Sequence, residues 1–64
     1  PTMYIETSND QLQSLYNADL MGDDYSPPGV EFSANGVAQV TQEVGERLVE
    51  HYDSITVKDT NESQ

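Results

Sequence analysis

The sequence predicts a small α+β protein with a ββαβ unit at residues 30–57, in which a hairpin, a helix and a closing strand follow one another. Apolar residues alternate with polar ones on both sides of an Asn-Gly turn, which is typical of a β-hairpin. They then recur three and four residues apart, as in an amphipathic helix. Residues 54–57 are rich in β-formers, with Ile55 and Val57 on one face. Residues 58–64 offer nothing to bury and are expected to be disordered.

Residues 1–21 are predicted to be an N-terminal arm or short helix, with Ser8-Asn9-Asp10 as the candidate cap of a helix that begins near Asp10. Residues 22–29 contain paired prolines and two glycines, which predicts a linker. Because this linker separates the apolar side chains of the arm from the ββαβ unit, we expect them to bind another chain and to be buried only in an assembly. The predicted partner-binding residues are Leu12, Leu15, Tyr16, Leu20 and Met21.

The hairpin register follows from the requirement that its apolar residues share one face. A two-residue turn would split them, whereas the three-residue loop Ala34-Asn35-Gly36 keeps them together. This loop pairs Ser33 with Val37 and places Gly36 in the left-handed conformation of a G1 bulge. The register also pairs Val30 with Val40, and the residues predicted on the buried face are Val30, Phe32, Ala38 and Val40.

The helix is predicted over residues 42–52, with Thr41 as the N-cap. Glu43 in its first turn complements the helix dipole and is four residues from Arg47, with which it can pair. Gly45 is unfavourable inside a helix, so we expect it to permit close approach of the hairpin backbone. The apolar stripe consists of Val44, Leu48, Val49 and Tyr52.

The charge balance excludes several classes of partner. Twelve Asp and Glu residues against one Lys and one Arg give a net charge of −10 in 64 residues. Direct nucleic-acid binding needs many basic side chains, as does attachment to an anionic membrane, so neither is expected. The longest apolar runs are far too short to span a bilayer, which predicts a soluble protein. Acid excess with lysine depletion favours a salt-rich cytoplasm, where screening removes most self-repulsion.

The chemical inventory predicts no enzyme and no cofactor. Cysteine is absent, and the single histidine, His51, is expected to be an exposed residue at the end of the helix. A chain of this size can hardly enclose a catalytic pocket. The pair Asp23-Asp24 with Glu31 or Asp19 could offer oxygen ligands, but the spacing does not match a calcium loop, so no metal site is predicted.

Residues 30–48 resemble a segment of small structural proteins encoded among the head and neck genes of tailed viruses. In those proteins a hairpin with N-G-x-A-x-V leads into a helix with E-x-G/A-x-x-L and then a closing strand. Asn35, Gly36 and Gly45 occupy structural positions of this pattern. The residues that match it are Phe32, Asn35, Gly36, Ala38, Val40, Glu43, Gly45, Leu48 and Tyr52.

The resemblance, together with the acidity, implies a virion structural protein of a tailed virus with a halophilic archaeal host. Its expected partners are other virion proteins, either the major capsid protein or the portal and neck proteins. It would be oligomeric in the assembly, capsid-associated or at the head-tail junction, and present in the host cytoplasm beforehand. The alternative is a free acidic regulatory or inhibitor protein, a nucleic-acid mimic or antitoxin-like protein, that binds a basic partner.

Overall fold

The computed structural model describes residues 1–58. They form a two-layer α+β domain, which confirms the predicted fold class. The elements in chain order are β1 (Thr2–Thr7), β2 (Ser14–Leu15), α1 (Ala18–Met21), β3 (Val30–Glu31), β4 (Val37–Thr41), α2 (Gln42–His51) and β5 (Ile55–Lys58).

The main sheet is three-stranded, with the order β4-β1-β5 and β1 antiparallel to both neighbours. Strands β4 and β5 therefore run parallel to each other on either side of β1, and α2 connects them across one face of the sheet. The pairs Met3–Val40 and Ile5–Ala38 lie side by side, as do Ile5 and Val57. A second, short sheet joins β2 to β3.

The prediction that residues 1–21 form a separate arm is wrong, because β1 is the central strand of the main sheet. Ile5 on this strand is completely buried. The alternation of Thr2–Thr7, in which Met3 and Ile5 point one way and Thr2, Tyr4 and Glu6 the other, is itself a strand signal. The segment pairs with β4 and β5 because a six-residue strand offers longer ladders than the two residues of β3.

The predicted loop of the hairpin is confirmed, but the strand pairing predicted beyond the loop is wrong. Ser33 N–H donates to Val37 O at 2.8 Å, and Gly36 has a φ of +79°. The pairing of Val30 with Val40 does not occur, because Val40 pairs with Met3 and Val30 with Leu15. The four residues predicted on the buried face are nevertheless all buried, namely Val30, Phe32, Ala38 and Val40.

The predicted helix is confirmed to within one residue. The Thr41 hydroxyl accepts from Val44 N at 3.4 Å at its start, and Tyr52 is the C-cap. Gly45 does allow close approach, but to the side chains of Met3 and Val40 rather than to the hairpin backbone. The Arg47 guanidinium donates to Leu20 O at 3.1 Å, which replaces the predicted interaction with Glu43 as its structural contact.

Residues from both sheets and both helices contribute side chains to the buried core. Residues 22–29 are not a free linker, since the Tyr25 hydroxyl accepts from Thr41 N at 3.1 Å and Tyr25 packs on the core. Lys58, assigned to the tail, pairs with Tyr4, whereas the rest of the predicted tail lies outside the described residues. The core consists of Ile5, Met21, Val30, Phe32, Ala38, Val40, Val44, Leu48 and Ile55.

Candidate interaction surfaces

The residues predicted to bind a partner serve mainly the interior of their own chain. Met21 has no exposed surface, so it is unavailable to another protein. Leu12, Leu15 and Leu20 are half-buried against the core. Of the predicted set, only Tyr16 is largely accessible, with 41% of its surface exposed. The apolar stripe of residues 1–21 therefore closes the domain and does not form the proposed assembly arm.

Two hydrogen bonds fasten this N-terminal part to α2. The Asn17 side-chain amide donates to the Tyr52 hydroxyl at 2.9 Å, while its oxygen caps α1 by accepting from Asp19 N and Leu20 N. Arg47 donates to Leu20 O near the other end of α1. Both contacts join residues far apart in sequence, so single-segment patterns do not predict them.

The first candidate surface is the solvent side of α2, which we call the acidic helix face and define by Glu43, Glu46 and Glu50. All three are exposed. They lie on one side of the helix because α-helical residues separated by three, four and seven positions share a face. At the N-terminal end of this face, Glu43 and Glu46 border an open depression of about 510 Å³ together with Asp24.

The second candidate surface is the side of the main sheet opposite α2, which we call the outer sheet face. Tyr4 lies at its centre with 37% of its surface exposed, between Gln39 on β4 and Lys58 on β5. Gln39 Nε2 donates to the Thr2 hydroxyl at 3.1 Å. Tyr4 gives this face an amphipathic centre suited to protein contact. The residues that define the face are Thr2, Tyr4, Glu6, Gln39, Thr56 and Lys58.

The two surfaces lie on opposite sides of a thin molecule. Helix α2 covers the inner side of the sheet through Val44 and Leu48, so its charged side faces away from the sheet. The acidic helix face carries three carboxylates, whereas the outer sheet face carries one, that of Glu6, together with Lys58, one of the two basic residues of the chain. The outer sheet face was not predicted from the sequence, because residues 2–7 were not recognised as a strand.

Within residues 1–58, no group of three or more His, Asp and Glu residues is placed to hold a metal ion. His51 is exposed at the end of α2, as predicted, and makes an edge-to-face contact with Tyr52 at 4.6 Å between ring centroids. A second open depression, of about 470 Å³, is bordered by polar residues such as Asp10, Ser14 and Glu31.

None of the helices in residues 1–58 has the length and apolarity needed to cross a membrane. Comparison of this chain with known protein families, with curated proteins and with solved structures finds no match.

Proposed function

We propose that this protein is a non-catalytic structural component that binds other proteins, and that it does so in the virion of a tailed virus with a halophilic archaeal host. The observation that carries the binding role is the presence of two chemically different exposed surfaces on opposite sides of one small domain. A molecule of this shape can contact one neighbour through the outer sheet face and a different neighbour through the acidic helix face.

The virion setting rests on the resemblance of residues 30–48 to head and neck proteins and on the composition. A net charge of −10 is compatible with a compact state when molar salt shortens the Debye length to about 3 Å. At such ionic strength long-range attraction between proteins is weak, so lasting contacts need hydrogen bonds and apolar burial. The outer sheet face, with Tyr4 at its centre, supplies both.

Mass spectrometry of virions purified in molar KCl tests the virion assignment. The protein should remain with the particles, and its copy number relative to the major capsid protein should distinguish a capsid position, with hundreds of copies, from a neck position, with about a dozen. Absence of the protein from particles that are otherwise complete would refute the assignment.

A variant pair tests the surface. Tyr4→Lys places a charge at the centre of the outer sheet face and should abolish incorporation into particles. Tyr16→Lys is the matched control, because Tyr16 is exposed to a similar extent, 41% against 37%, but lies outside that face. Equal incorporation of both folded variants would show that the outer sheet face is not the contact.

The second candidate is a free acidic inhibitor that occupies a basic cleft of another protein, and the acidic helix face favours it. Glu43 and Glu50 are separated by about 10 Å along the helix axis, with Glu46 between them, so they present a row of negative charges. Binding to such a cleft would weaken steeply as salt rises. Glu43→Gln, Glu46→Gln and Glu50→Gln together should abolish inhibitor-type binding to a basic protein, whereas Tyr4→Lys on the opposite side of the domain should not.

A further inference from the structure

The two edges of the main sheet are protected unequally. At the outer edge of β4, Val37 O accepts from Ser33 N at 2.8 Å and Val37 N donates to the Ser33 hydroxyl at 3.3 Å. At the other end of the strand, Thr41 N donates to the Tyr25 hydroxyl at 3.1 Å. Residues 25–33 therefore occupy both ends of this edge, which blocks continuous strand addition there.

Strand β5 forms the opposite edge, and the hydrogen-bond pattern shows which backbone groups point outward. Ser8 N donates to Ser54 O at 2.9 Å, one step beyond the pairing of Thr7 with Ile55. Because hydrogen-bonded and non-hydrogen-bonded pairs alternate in an antiparallel ladder, Thr56 and Lys58 direct their backbone groups toward β1. The N–H and C=O of Val57 consequently point away from the sheet.

No strand of the described chain lies beyond β5. The Val57 side chain is also 60% exposed, more than that of any other large hydrophobic residue in the described chain. Ile55 and Val57 share one face of β5, as predicted, but only Ile55 is buried. An exposed β-branched residue whose backbone donor and acceptor are both open is the arrangement that pairs with another strand.

We propose that two copies of this chain pair through β5, antiparallel and about a two-fold axis at Val57, to form a continuous six-stranded sheet. In this register Val57 of each copy donates its N–H to the C=O of Val57 in the second copy and accepts the equivalent bond in return. The two valine side chains lie next to each other and cover each other's exposed surface. The contact is isologous, so it closes at the dimer.

The distribution of charge favours a second copy over other occupants of this edge. Strand β5 contains no carboxylate, although the chain has twelve, and it holds one of the two basic residues. In the proposed register Lys58 lies opposite Thr56 of the second copy, and Glu6 of that copy is on the next strand beside Thr56. Each end of the junction therefore brings a positive charge toward a negative one.

The remaining repulsion between two chains of charge −10 acts at longer range and is screened by salt. The interface is small, so the dimer should be weak and should become stronger as the KCl concentration rises. Sedimentation equilibrium of the full chain, from about 10 μM to about 1 mM in low and in molar KCl, measures this directly. The expected result is a monomer–dimer equilibrium whose dissociation constant falls at high salt.

Two variants and one control locate the contact. Val57→Pro removes the outward N–H without affecting a hydrogen bond to β1, and Val57→Lys places a charge at the junction. Each should raise the dissociation constant at least about tenfold at the same salt concentration. Gln39→Lys makes the same change of charge on β4 and should leave dimerisation unchanged or slightly stronger, because it reduces the net negative charge.

Amide NMR of the wild-type chain measures the contact at Val57 directly. It therefore tests the proposal even if one of the variants folds poorly. On concentration in molar KCl, the Val57 amide should shift and become protected from exchange, whereas the Gln39 amide should not. A chain that stays monomeric throughout, or a dimer that persists in both Val57 variants, would overturn the proposal. Protection of the Val57 amide in the dilute monomer would also overturn it, because the edge would already be covered within the chain.

Discussion

The side chain of Met3 fills the space that a Cβ atom on Gly45 would occupy. A Cβ built on Gly45 would also lie 2.9 Å from Val40 Cγ2, and its contact with Met3 would be closer still. Helix α2 can therefore lie against β1 and β4 at this point only because residue 45 has no side chain. The contact joins the N-terminal strand to the helix and sets the spacing of the two layers.

Gly45→Ala should destabilise the protein even though alanine is the better helix former. The propensity gain of up to about 1 kcal/mol is opposed by overpacking, which typically costs about 1–3 kcal/mol. Urea unfolding followed by circular dichroism measures the difference. Adding Met3→Ala should make Gly45→Ala less costly than in the wild-type background, and additive effects of the two changes would contradict direct contact between these positions.

Gly36→Val should lower the free energy of unfolding by more than about 1 kcal/mol, because Gly36 has a φ of +79° and a β-branched residue is strained there. A Cβ at this position would also lie 3.1 Å from Thr7 O. Gly36→Asn separates the two effects, since asparagine tolerates the left-handed region but carries the same Cβ. An unchanged melting temperature for the valine variant would contradict the G1-bulge loop.

Tyr52→Phe should reduce stability by about 0.5–1.5 kcal/mol, because it removes the acceptor of the Asn17 amide. Asn17→Ala should cost more, since it removes the N-cap of α1 as well. Thermal unfolding of both single variants and the double variant gives the coupling. If the stability lost in the double variant equals the sum of the losses in the two single variants, the hydrogen bond between Asn17 and Tyr52 does not contribute to stability in solution.

Deleting residues 1–7 should unfold the whole domain, because it removes the strand that pairs with both β4 and β5. Ile5→Ala is the milder test and should cost about 2–5 kcal/mol, as for other fully buried isoleucines. Val57→Ala is its control on a neighbouring strand, and it should have a small effect on the monomer because Val57 is exposed. A folded deletion variant, seen by near-UV circular dichroism, would restore the arm hypothesis.

Stability should rise with KCl between about 50 mM and about 2 M, because screening reduces repulsion among the carboxylates. Melting temperatures from circular dichroism test this at a protein concentration low enough to keep the chain monomeric. The variant with glutamine at positions 43, 46 and 50 removes three of the twelve acidic charges and should show a flatter salt dependence. A melting temperature that does not change with salt would remove the argument for a halophilic host.

Several elements can be predicted from the amino-acid sequence because their signals are local. Thr41 as N-cap, the spacing of Val44 and Leu48, and Gly36 in a three-residue loop each depend on residues within one or two turns of chain. Such signals are local because capping, helical periodicity and left-handed backbone conformation are settled by near neighbours. The α+β class followed from them.

The pairing of the strands and the burial of individual apolar residues depend instead on contacts between distant parts of the chain. Val40 could pair with Val30 or with Met3, and both choices place it on a buried face, so the hydrophobic pattern does not distinguish them. The longer ladders of β1 decide in favour of Met3, and this places the N-terminal strand at the centre. The burial of Met21 and the exposure of Val57 follow from that arrangement, because burial depends on what packs across the sheet rather than on the residue itself.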